Sequence, residues 1–292
     1  MLESVINISE GRDQDVLNRL EVACGTHVLD VHIDPDHHRS VFTLAGPHDD
    51  GAERGAHELS LAVFDELSLE AHDGVHPRLG TVDVVPFVSL FGDGRGRAWA
   101  VAAARRYSVW LERLNIPSFL YGDADPQGRT LPELRREAFT RRFPDYGPKT
   151  PDARHGAVAV GARPPLVALN MNLTTADLDT AKRIAISIRE SSGGMPGVRS
   201  LGLRLERKGC VQVSMNIFDL ERAALVDVIA LVDAEAAALE TSVAEIELVG
   251  LIPGRAFQAI PQALRNRTGW DDHCTIEGRL IERAANEEVP ES

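Results

Sequence analysis

The order of the predicted strands and helices restricts the fold of this chain more than any single motif does. Some short segments alternate apolar and polar residues, as strands do, whereas others repeat apolar residues at helical spacing. In the first third of the chain these segments follow the order β-α-β-β-α-β, which is the split βαβ or ferredoxin-like arrangement. The predicted strands are 2–8, 27–33, 39–45 and 81–90, and the predicted helices are 13–24 and 52–67.

The second half of the chain repeats this order. A glycine-rich break at 193–197 and a turn at 207–209 separate its segments. We therefore expect an α+β fold of two ferredoxin-like (βαββαβ) subdomains, forming a duplicated α/β sandwich with a cleft between them for a small molecule. We place the subdomains at 1–162 and 163–283, with a flexible tail at 284–292. The second set comprises strands at 166–173, 200–206, 210–217 and 244–251 and helices at 174–191 and 220–239.

The region that joins the two copies has a different character. It is predicted to hold a helix at 95–114, a strand at 118–121 and a helix at 131–141. Residues 143–152 are rich in proline and glycine, which favours an irregular binding loop. At the start of the second copy, a threonine at 174 or 175 is the expected helix cap.

Charge and cysteine pattern exclude several classes of protein. The 292 residues carry a formal net charge of −13 at pH 7, whereas nucleic-acid binding requires a basic surface. No apolar run is as long as a membrane span, and the amino terminus does not resemble a signal peptide. The three cysteines lie far apart and form no Cys-x-x-Cys pair, as is usual in a reducing compartment. We therefore expect a cytoplasmic protein that binds neither nucleic acid nor membranes.

A histidine in the segment 74–83, Gly-Val-His-Pro-Arg-Leu-Gly-Thr-Val-Asp, is the strongest candidate for chemistry. Pro77 has a fixed φ and restricts His76 to an extended backbone, so the imidazole is held at a defined angle. A histidine can also accept and return a proton near neutral pH. His76 is therefore a candidate general acid/base, although a histidine that only hydrogen-bonds a loop would fit the same pattern.

The polar cluster at 32–39, His-Ile-Asp-Pro-Asp-His-His-Arg, permits three interpretations. It is close to the H-x-H-x-D-H run of metallo-β-lactamase-like hydrolases, with Asp34 in place of one histidine, but no convincing ligands follow it. It also suits a turn whose Asp and His side chains cap backbone groups. The third interpretation is a substrate-site loop in which Arg39 binds a carboxylate. Asn7, near the end of the first predicted strand, has two interpretations: its side chain suits either a turn or a ligand site.

Other common catalytic motifs do not occur. The sequence contains neither G-x-G-x-x-G nor G-x-x-x-x-G-K-[ST], which argues against a glycine-rich nucleotide site. It also contains no G-x-S-x-G, so a serine hydrolase has no support.

Taken in order, several short motifs resemble the formiminotransferase family over nearly the whole chain, about residues 3 to 280. Each motif is weak alone, but the ordered set is specific. The family has two ferredoxin-like halves, which agrees with the duplicated pattern. The motifs lie at 7–11, 34–41, 74–83, 121–122, 144–148, 160–163, 170–173 and 212–216.

The resemblance implies transfer of the formimidoyl group from N-formimidoyl-L-glutamate to N5 of tetrahydrofolate, with His76 as the catalytic acid/base. It also implies tetrahydrofolate as cosubstrate, no metal and no nucleotide, and a homodimer. Alternatives on the same scaffold are an enzyme that metabolises 5-formyltetrahydrofolate and a non-catalytic folate-binding protein. The family's folate-binding segment corresponds to Gly147, Pro148, Lys149, Thr150, Pro151, Asp152, Ala153, Arg154, His155 and Gly156. The other expected substrate-binding residues are Asn7, Asp34, His37, Arg39 and Arg78.

The residues suit that chemistry. Attack by folate N5 on the amidine carbon requires removal of the N5 proton and protonation of the departing glutamate nitrogen, and one imidazole can do both. Glutamate and the folate tail carry carboxylates, for which Arg39, Arg78 or Arg163 are plausible partners by charge.

Overall fold

The structure is a computed structural model that describes residues 1–46, 48, 50–70, 78–90 and 94–287. The chain divides into two compact units, Met1–Pro164 and Pro165–Ser292. His76, the predicted acid/base, lies outside the described residues.

The first unit is built on a six-stranded sheet with the order β2-β3-β1-β4-β6-β5. β1 is antiparallel to both β3 and β4, whereas β4 and β5 run parallel to β6. Its first four strands and first two helices are the predicted βαββαβ set, but β6 was not predicted from the sequence. The strands are β1 (Leu2–Ile8), β2 (Val28–Asp34), β3 (Arg39–Leu44), β4 (Val82–Ser89), β5 (Ser118–Gly122) and β6 (Val158–Arg163). The helices are α1 (Gln14–Cys24), α2 (Gly51–Glu66), α3 (Gly94–Arg113) and α4 (Leu131–Glu137).

The two faces of this sheet are covered differently. Apolar side chains of α1, α2 and α3 pack on one face, where Ile6 and Phe42 are fully buried. On the other face, Leu134 of α4 packs beside the apolar residues of β4, β5 and β6. The helix predicted to reach residue 141 ends at Glu137, because Phe139 takes a left-handed φ of 59°.

The second unit contains a four-stranded antiparallel sheet with the order β10-β7-β9-β8. Two helices, α5 and α6, pack on one face of it. The strands are β7 (Val167–Leu173), β8 (Val198–Leu205), β9 (Cys210–Ile217) and β10 (Val243–Val249). The helices are α5 (Leu178–Ile188), α6 (Leu225–Ala238), α7 (Gly254–Gln258), α8 (Gln262–Thr268) and α9 (Ile276–Glu287). The prediction of a mixed α+β chain is thus confirmed, and α9 continues into the segment predicted as a tail.

Side-chain caps explain two differences between predicted and observed helix starts. Asp177, rather than a threonine at 174 or 175, caps α5 by accepting hydrogen bonds from the amides of Asp179 and Thr180. In the same way Asp13 caps α1, which therefore begins at Gln14 rather than at residue 13.

Within the described ranges, no helix is both long and apolar enough to cross a membrane.

A buried pair of hydroxyl groups joins α2 to α3. Ser60 and Tyr107 are fully buried and hydrogen-bond to each other, and burial raises the pKa of the tyrosine. We expect Tyr107→Phe to lower the free energy of unfolding by about 1–2 kcal/mol, because the Ser60 hydroxyl loses its partner. The double variant Tyr107→Phe with Ser60→Ala removes both polar groups and should regain most of that loss. Urea denaturation of the full chain tests this, and a double variant less stable than Tyr107→Phe alone would contradict it.

Candidate active site

Three connecting segments meet at one end of the first sheet. Ile8 pairs with Ser40 of β3 and with Val82 of β4. The loop after β1, the β2–β3 turn and the segment that leads into β4 therefore lie at the same end. The amide of Ser9 donates to the carbonyl of Thr81 at 2.8 Å, which ties the first of these segments to the last.

The β2–β3 turn holds an aspartate–histidine pair. Oδ1 of Asp34 accepts from the backbone amide of His37 at 2.9 Å, and Oδ2 hydrogen-bonds Nδ1 of the same residue. Burial alone would raise the pKa of the Asp34 carboxyl, but the side-chain and backbone hydrogen bonds from His37 lower the pKa overall. Because the carboxylate accepts at Nδ1, that nitrogen carries a proton, so the imidazole has a fixed tautomer and orientation.

The loop after β1 packs directly on this turn. Glu10 Oε1 accepts from the amides of residues 11–13 at 2.7–3.0 Å. His38 has a φ of 51°, and its Nδ1 accepts from the amide of Gly11 at 3.2 Å. A Cβ atom on Gly11 would lie 2.5 Å from the backbone nitrogen of Arg39. Glycine is therefore required here, because the backbone of the turn approaches too closely for a side chain.

A β-bulge at the start of β4 buries a carboxylate. Relative to β1, β4 has one extra residue, Asp83, between Val82 and Val84. Its side chain is almost fully buried. Oδ1 accepts from the amide of Leu79 at 2.7 Å, and Oδ2 accepts from Nη2 of Arg135 on α4 at 2.6 Å. The carboxylate thus fixes the segment that leads into β4.

Arginines surround this carboxylate. Removal from water lowers the pKa of Arg39 to about 10, with Asp83 opposing the shift and Arg135 adding to it. Desolvation also lowers the pKa of Arg78, again opposed by Asp83 and supported by Arg12 and Arg135. These groups remain cationic at neutral pH. They place guanidinium groups, which bind carboxylates, at this end of the sheet beside the acidic side chains of Glu10, Asp34 and Asp83.

The end of the predicted folate segment is hydrogen-bonded to the segment that follows His76 in the sequence. The amide of Thr81 donates to the carbonyl of His155 at 3.0 Å, and Gly80 forms an antiparallel bridge with Gly156. Gly156 has a φ of 72°, and a Cβ atom there would lie 2.2 Å from the carbonyl oxygen of Leu79. Only glycine allows the two backbones to approach this closely.

The rest of the folate segment is partly anchored and partly exposed. Arg154 donates from Nη2 to the carbonyl of Asp65 at 2.6 Å. The ring of His155 lies 5.0 Å from that of Phe64, and desolvation lowers the pKa of this histidine. Gly147 has a φ of 80° and sits against the backbone of residue 116. Lys149, Thr150, Pro151, Ala153 and Arg154 are exposed, whereas Pro148, Asp152 and His155 are half-buried.

Asn7 and Arg163 lie at different places along the first sheet. The Asn7 side chain is buried and donates to the carbonyl of Val5 at 3.2 Å, and its Oδ1 has no hydrogen-bond partner among the described residues. Arg163 pairs with Val88 near the far end of β4 and donates to the Pro164 carbonyl at 3.0 Å. Asn7 lies beside the bulge, because its partner on β4 is Val84. The Arg163 side chain also hydrogen-bonds Tyr121, and Arg135 and Asp83 act on the pKa of the same tyrosine, so Tyr121 connects Arg163 with the residues at the bulge.

Two members of this site were missed by the sequence analysis. Asp83 is the last residue of the motif at 74–83 but was not predicted as a site residue, and neither was Arg135. The available signal was an aspartate within an otherwise apolar strand, since an unpaired carboxylate is costly to bury. Its partner was not identifiable, because the bulge and the position of α4 are tertiary features.

The described residues contain no group of three or more His, Cys, Asp or Glu side chains placed to hold a metal ion. The metal-loop interpretation of residues 32–39 therefore receives no support from this part of the chain.

Two models of known protein families match the chain. The N-terminal subdomain of the formiminotransferase domain matches residues 1–163, and the formiminotransferase domain matches residues 168–266. The chain belongs to the formiminotransferase family. The resemblance given by the ordered motifs is thereby confirmed.

Individual relatives in the formiminotransferase family extend over most of the chain. It is 34% identical to glutamate formimidoyltransferase of Thermoplasma acidophilum, over 99% of both chains. It is 32% identical to glutamate formimidoyltransferase of Streptococcus pyogenes serotype M1, over 94% of this chain and 97% of that one. Formimidoyltransferase-cyclodeaminase of Rattus norvegicus is 35% identical over 88% of this chain but 51% of its own length.

We expect the Asp34–His37 pair to stabilise the folded protein at neutral pH and to lose this effect in acid. A carboxylate with a lowered pKa stabilises the folded protein above its ordinary pKa of about 4, and that stability is lost as pH falls through the folded value. Asp34→Asn should therefore cost about 1–2 kcal/mol at pH 7 and should flatten the fall of Tm between pH 5 and pH 3. Thermal unfolding across this range is the measurement, with Glu21→Gln on the exposed surface of α1 as the control. Parallel curves for wild type and Asp34→Asn would contradict the prediction.

Proposed function

We propose that this protein is a glutamate formimidoyltransferase, which transfers the formimidoyl group from N-formimidoyl-L-glutamate to N5 of tetrahydrofolate. Membership of the formiminotransferase family and the names of its full-length relatives support this assignment. The observation that carries it furthest is the junction at Gly80 and Gly156. It joins the segment after the predicted acid/base to the segment expected to bind folate.

In the proposed reaction His76 acts twice. It first takes the proton from N5 as this nitrogen bonds to the amidine carbon. It then gives that proton to the glutamate nitrogen as the bond between this nitrogen and the carbon breaks. The products are 5-formimidoyltetrahydrofolate and glutamate, so no redox partner is required.

Binding roles follow from charge and position. Arg39 and Arg78 would bind substrate carboxylates, since both guanidinium groups interact electrostatically with Asp83 and Arg135 at this end of the sheet. Asn7, Asp34 and His37 would orient a substrate at the same end of the sheet. Tetrahydrofolate would contact Gly147, Pro148, Lys149, Thr150, Pro151, Asp152, Ala153, Arg154, His155 and Gly156.

We also propose that the chain contains two copies of one subdomain. The two βαββαβ sets share one strand order, since β2-β3-β1-β4 in the first unit corresponds to β8-β9-β7-β10 in the second. This supports a duplication of a ferredoxin-like subdomain, at about 1–162 and 163–283. We further propose a cytoplasmic homodimer whose reaction needs neither a metal nor a nucleotide.

Replacement of His76 tests the reaction and its base together. We expect His76→Ala to lower kcat/KM by about 10²–10⁴-fold, the usual contribution of a general acid/base. In wild type, kcat/KM should rise with pH through the range in which an imidazole loses its proton, about pH 6.5, and the variant should lack this rise. Absorbance of methenyltetrahydrofolate after acid treatment of the product is the readout.

The control for that experiment is His273→Ala, which changes an exposed histidine of the second unit and should leave the rate unchanged. A His76→Ala enzyme that keeps a tenth of the activity would refute the role of this residue. Turnover with 5-formyltetrahydrofolate alone would refute the formimidoyl donor and leave the folate site in place.

Replacement of Arg39 tests carboxylate binding. Arg39→Met keeps most of the length of the side chain but removes the charge, so KM for at least one substrate should rise about tenfold, or about 1.4 kcal/mol. The matched control is Arg105→Met on the exposed surface of α3, which should leave both KM values unchanged. Steady-state kinetics in each substrate is the measurement, and unchanged KM values in Arg39→Met would remove the role.

A further inference from the structure

A buried arginine lies just before the predicted folate segment. α4 ends at Glu137, and a tight turn follows in which the amide of Phe139 donates to the carbonyl of Arg142 at 2.8 Å. The Arg142 side chain is directed into the protein, since this residue is only 5% exposed. An arginine is rarely buried to this extent unless its charge is paired. Its partners therefore identify the segments that it holds together.

The guanidinium group of Arg142 connects β5 to the segment that precedes the predicted folate segment. Its Nη2 atom donates to the carbonyl of Leu120 at 2.6 Å and to Oδ2 of Asp145 at 2.8 Å. Nη1 lies 3.6 Å from Oδ2 of Asp125, and the group lies 5.9 Å from the ring centre of Phe119. Nε and Nη1 have no hydrogen-bond partner among the described residues. Asp145 is thus the hydrogen-bonded counter-charge of this arginine.

Asp145 attaches the same segment to the edge of the first sheet. β5 is the last strand in the sheet order, so one side of its backbone can pair with a further segment. Oδ2 of Asp145 accepts from the amide of Leu120 at 2.7 Å. Beside it, Ser118 and Tyr146 exchange two backbone hydrogen bonds, at 3.0 and 3.2 Å. The segment therefore extends the sheet by a short antiparallel bridge, and the Asp145 side chain fixes its alignment with β5.

The predicted folate segment is held at both ends by these contacts. Before its beginning, Asp145 is bonded to β5, and at its end Gly156 forms a bridge with Gly80. Fixing both ends of a short connection removes much of its conformational freedom before a ligand binds, which lowers the entropy cost of binding. The residues between the two attachments include three that are exposed, Lys149, Thr150 and Pro151.

We propose that Asp145 and Arg142 are positioning residues for tetrahydrofolate. This inference rests on the proposed function, in which the segment at 147–156 binds this cosubstrate. The pair acts through that segment and does not itself touch tetrahydrofolate. It holds the beginning of the segment in the conformation that binds, so that the ligand does not have to order it. Loss of the pair therefore weakens the affinity for tetrahydrofolate but spares the chemical step and the affinity for N-formimidoyl-L-glutamate.

The direct test is Asp145→Ala, with Asp145→Asn as the conservative variant. Alanine removes the acceptor for both Leu120 and Arg142, so KM and Kd for tetrahydrofolate should rise about tenfold. Asparagine has an oxygen that can accept both of these bonds, so its KM and Kd should stay within about threefold of wild type. In both variants, kcat and the KM for N-formimidoyl-L-glutamate should change less than about twofold, because only one binding step is affected.

The stability control is Tyr107→Phe, which removes a buried hydrogen bond of the same unit between α2 and α3. It should lower the free energy of unfolding and leave both KM values unchanged. A folded Asp145→Ala enzyme with the tetrahydrofolate affinity of wild type would overturn the proposal. Equal losses of affinity for both substrates would do so too, as would an Asp145→Asn enzyme that loses as much affinity as Asp145→Ala.

A double variant covers the case in which Asp145→Ala does not fold. Removal of Asp145 alone leaves the buried charge of Arg142 without its hydrogen-bonded carboxylate, which is costly. Arg142→Met with Asp145→Ala removes both charges and keeps an apolar side chain at the buried position. This double variant should show the same loss of tetrahydrofolate affinity, about tenfold. Wild-type affinity in the folded double variant would overturn the proposal.

Tryptic cleavage after Lys149 tests the attachment of the segment without any ligand. Lys149 is exposed, and cleavage requires that the chain around it open to fit the protease. Release of the attachment at Asp145 should therefore speed this cleavage about fivefold in Asp145→Ala, as measured by mass spectrometry of the fragments over time. Cleavage at the same rate in Asp145→Ala and wild type would contradict the positioning role.

Failure of this inference is distinguishable from failure of the proposed function. If wild type transfers the formimidoyl group and folded Asp145→Ala binds tetrahydrofolate normally, only the inference fails. If wild type binds tetrahydrofolate but shows no turnover, the transferase assignment fails. Calorimetric titration of tetrahydrofolate against wild type and Asp145→Ala then still decides the inference. A wild type that does not bind tetrahydrofolate would overturn both.

Discussion

The geometry at the end of the first sheet depends on one buried charge. Asp83 is 1% exposed, and a carboxylate can be removed from water only where charge and hydrogen bonds replace the lost hydration. The bulge in β4 directs this side chain to α4, where Arg135 meets it, and the Leu79 amide occupies its other oxygen. The requirement to pair Asp83 therefore fixes α4, β4 and the segment that leads into β4 relative to one another.

That constraint extends to a segment that is distant in sequence. The backbone around Gly80 is held by Asp83 on one side and by Gly156 on the other. The two glycines approach so closely that neither could carry a side chain without displacing the other strand. Gly80 follows the predicted acid/base, His76, in the sequence. Its bridge to Gly156 joins it to the segment expected to bind the cosubstrate.

Local pattern was sufficient for most of the fold, and tertiary features account for the rest. Strands such as Leu2–Ile8 are short segments with several β-branched residues, and helices such as Gln14–Cys24 have one apolar face, so both could be predicted from the sequence. The strand Val158–Arg163 could not be predicted in this way. Its residues are mostly small and are buried by packing against residues that are distant in the sequence. The site follows the same rule: the Asp34 turn is a local motif, whereas the pairing of Asp83 with Arg135 joins residues 52 positions apart.

Fixed cations in the first unit suit the substrates of the proposed formimidoyl transfer. Arg39 keeps a pKa of about 10, so its guanidinium group is charged at neutral pH, and glutamate and folate both carry carboxylates. Charge alone would attract many anions in an indiscriminate way. Selectivity therefore requires that the guanidinium groups be held in one geometry, and the pairing of Asp83 with Arg135 provides a fixed framework beside Arg39.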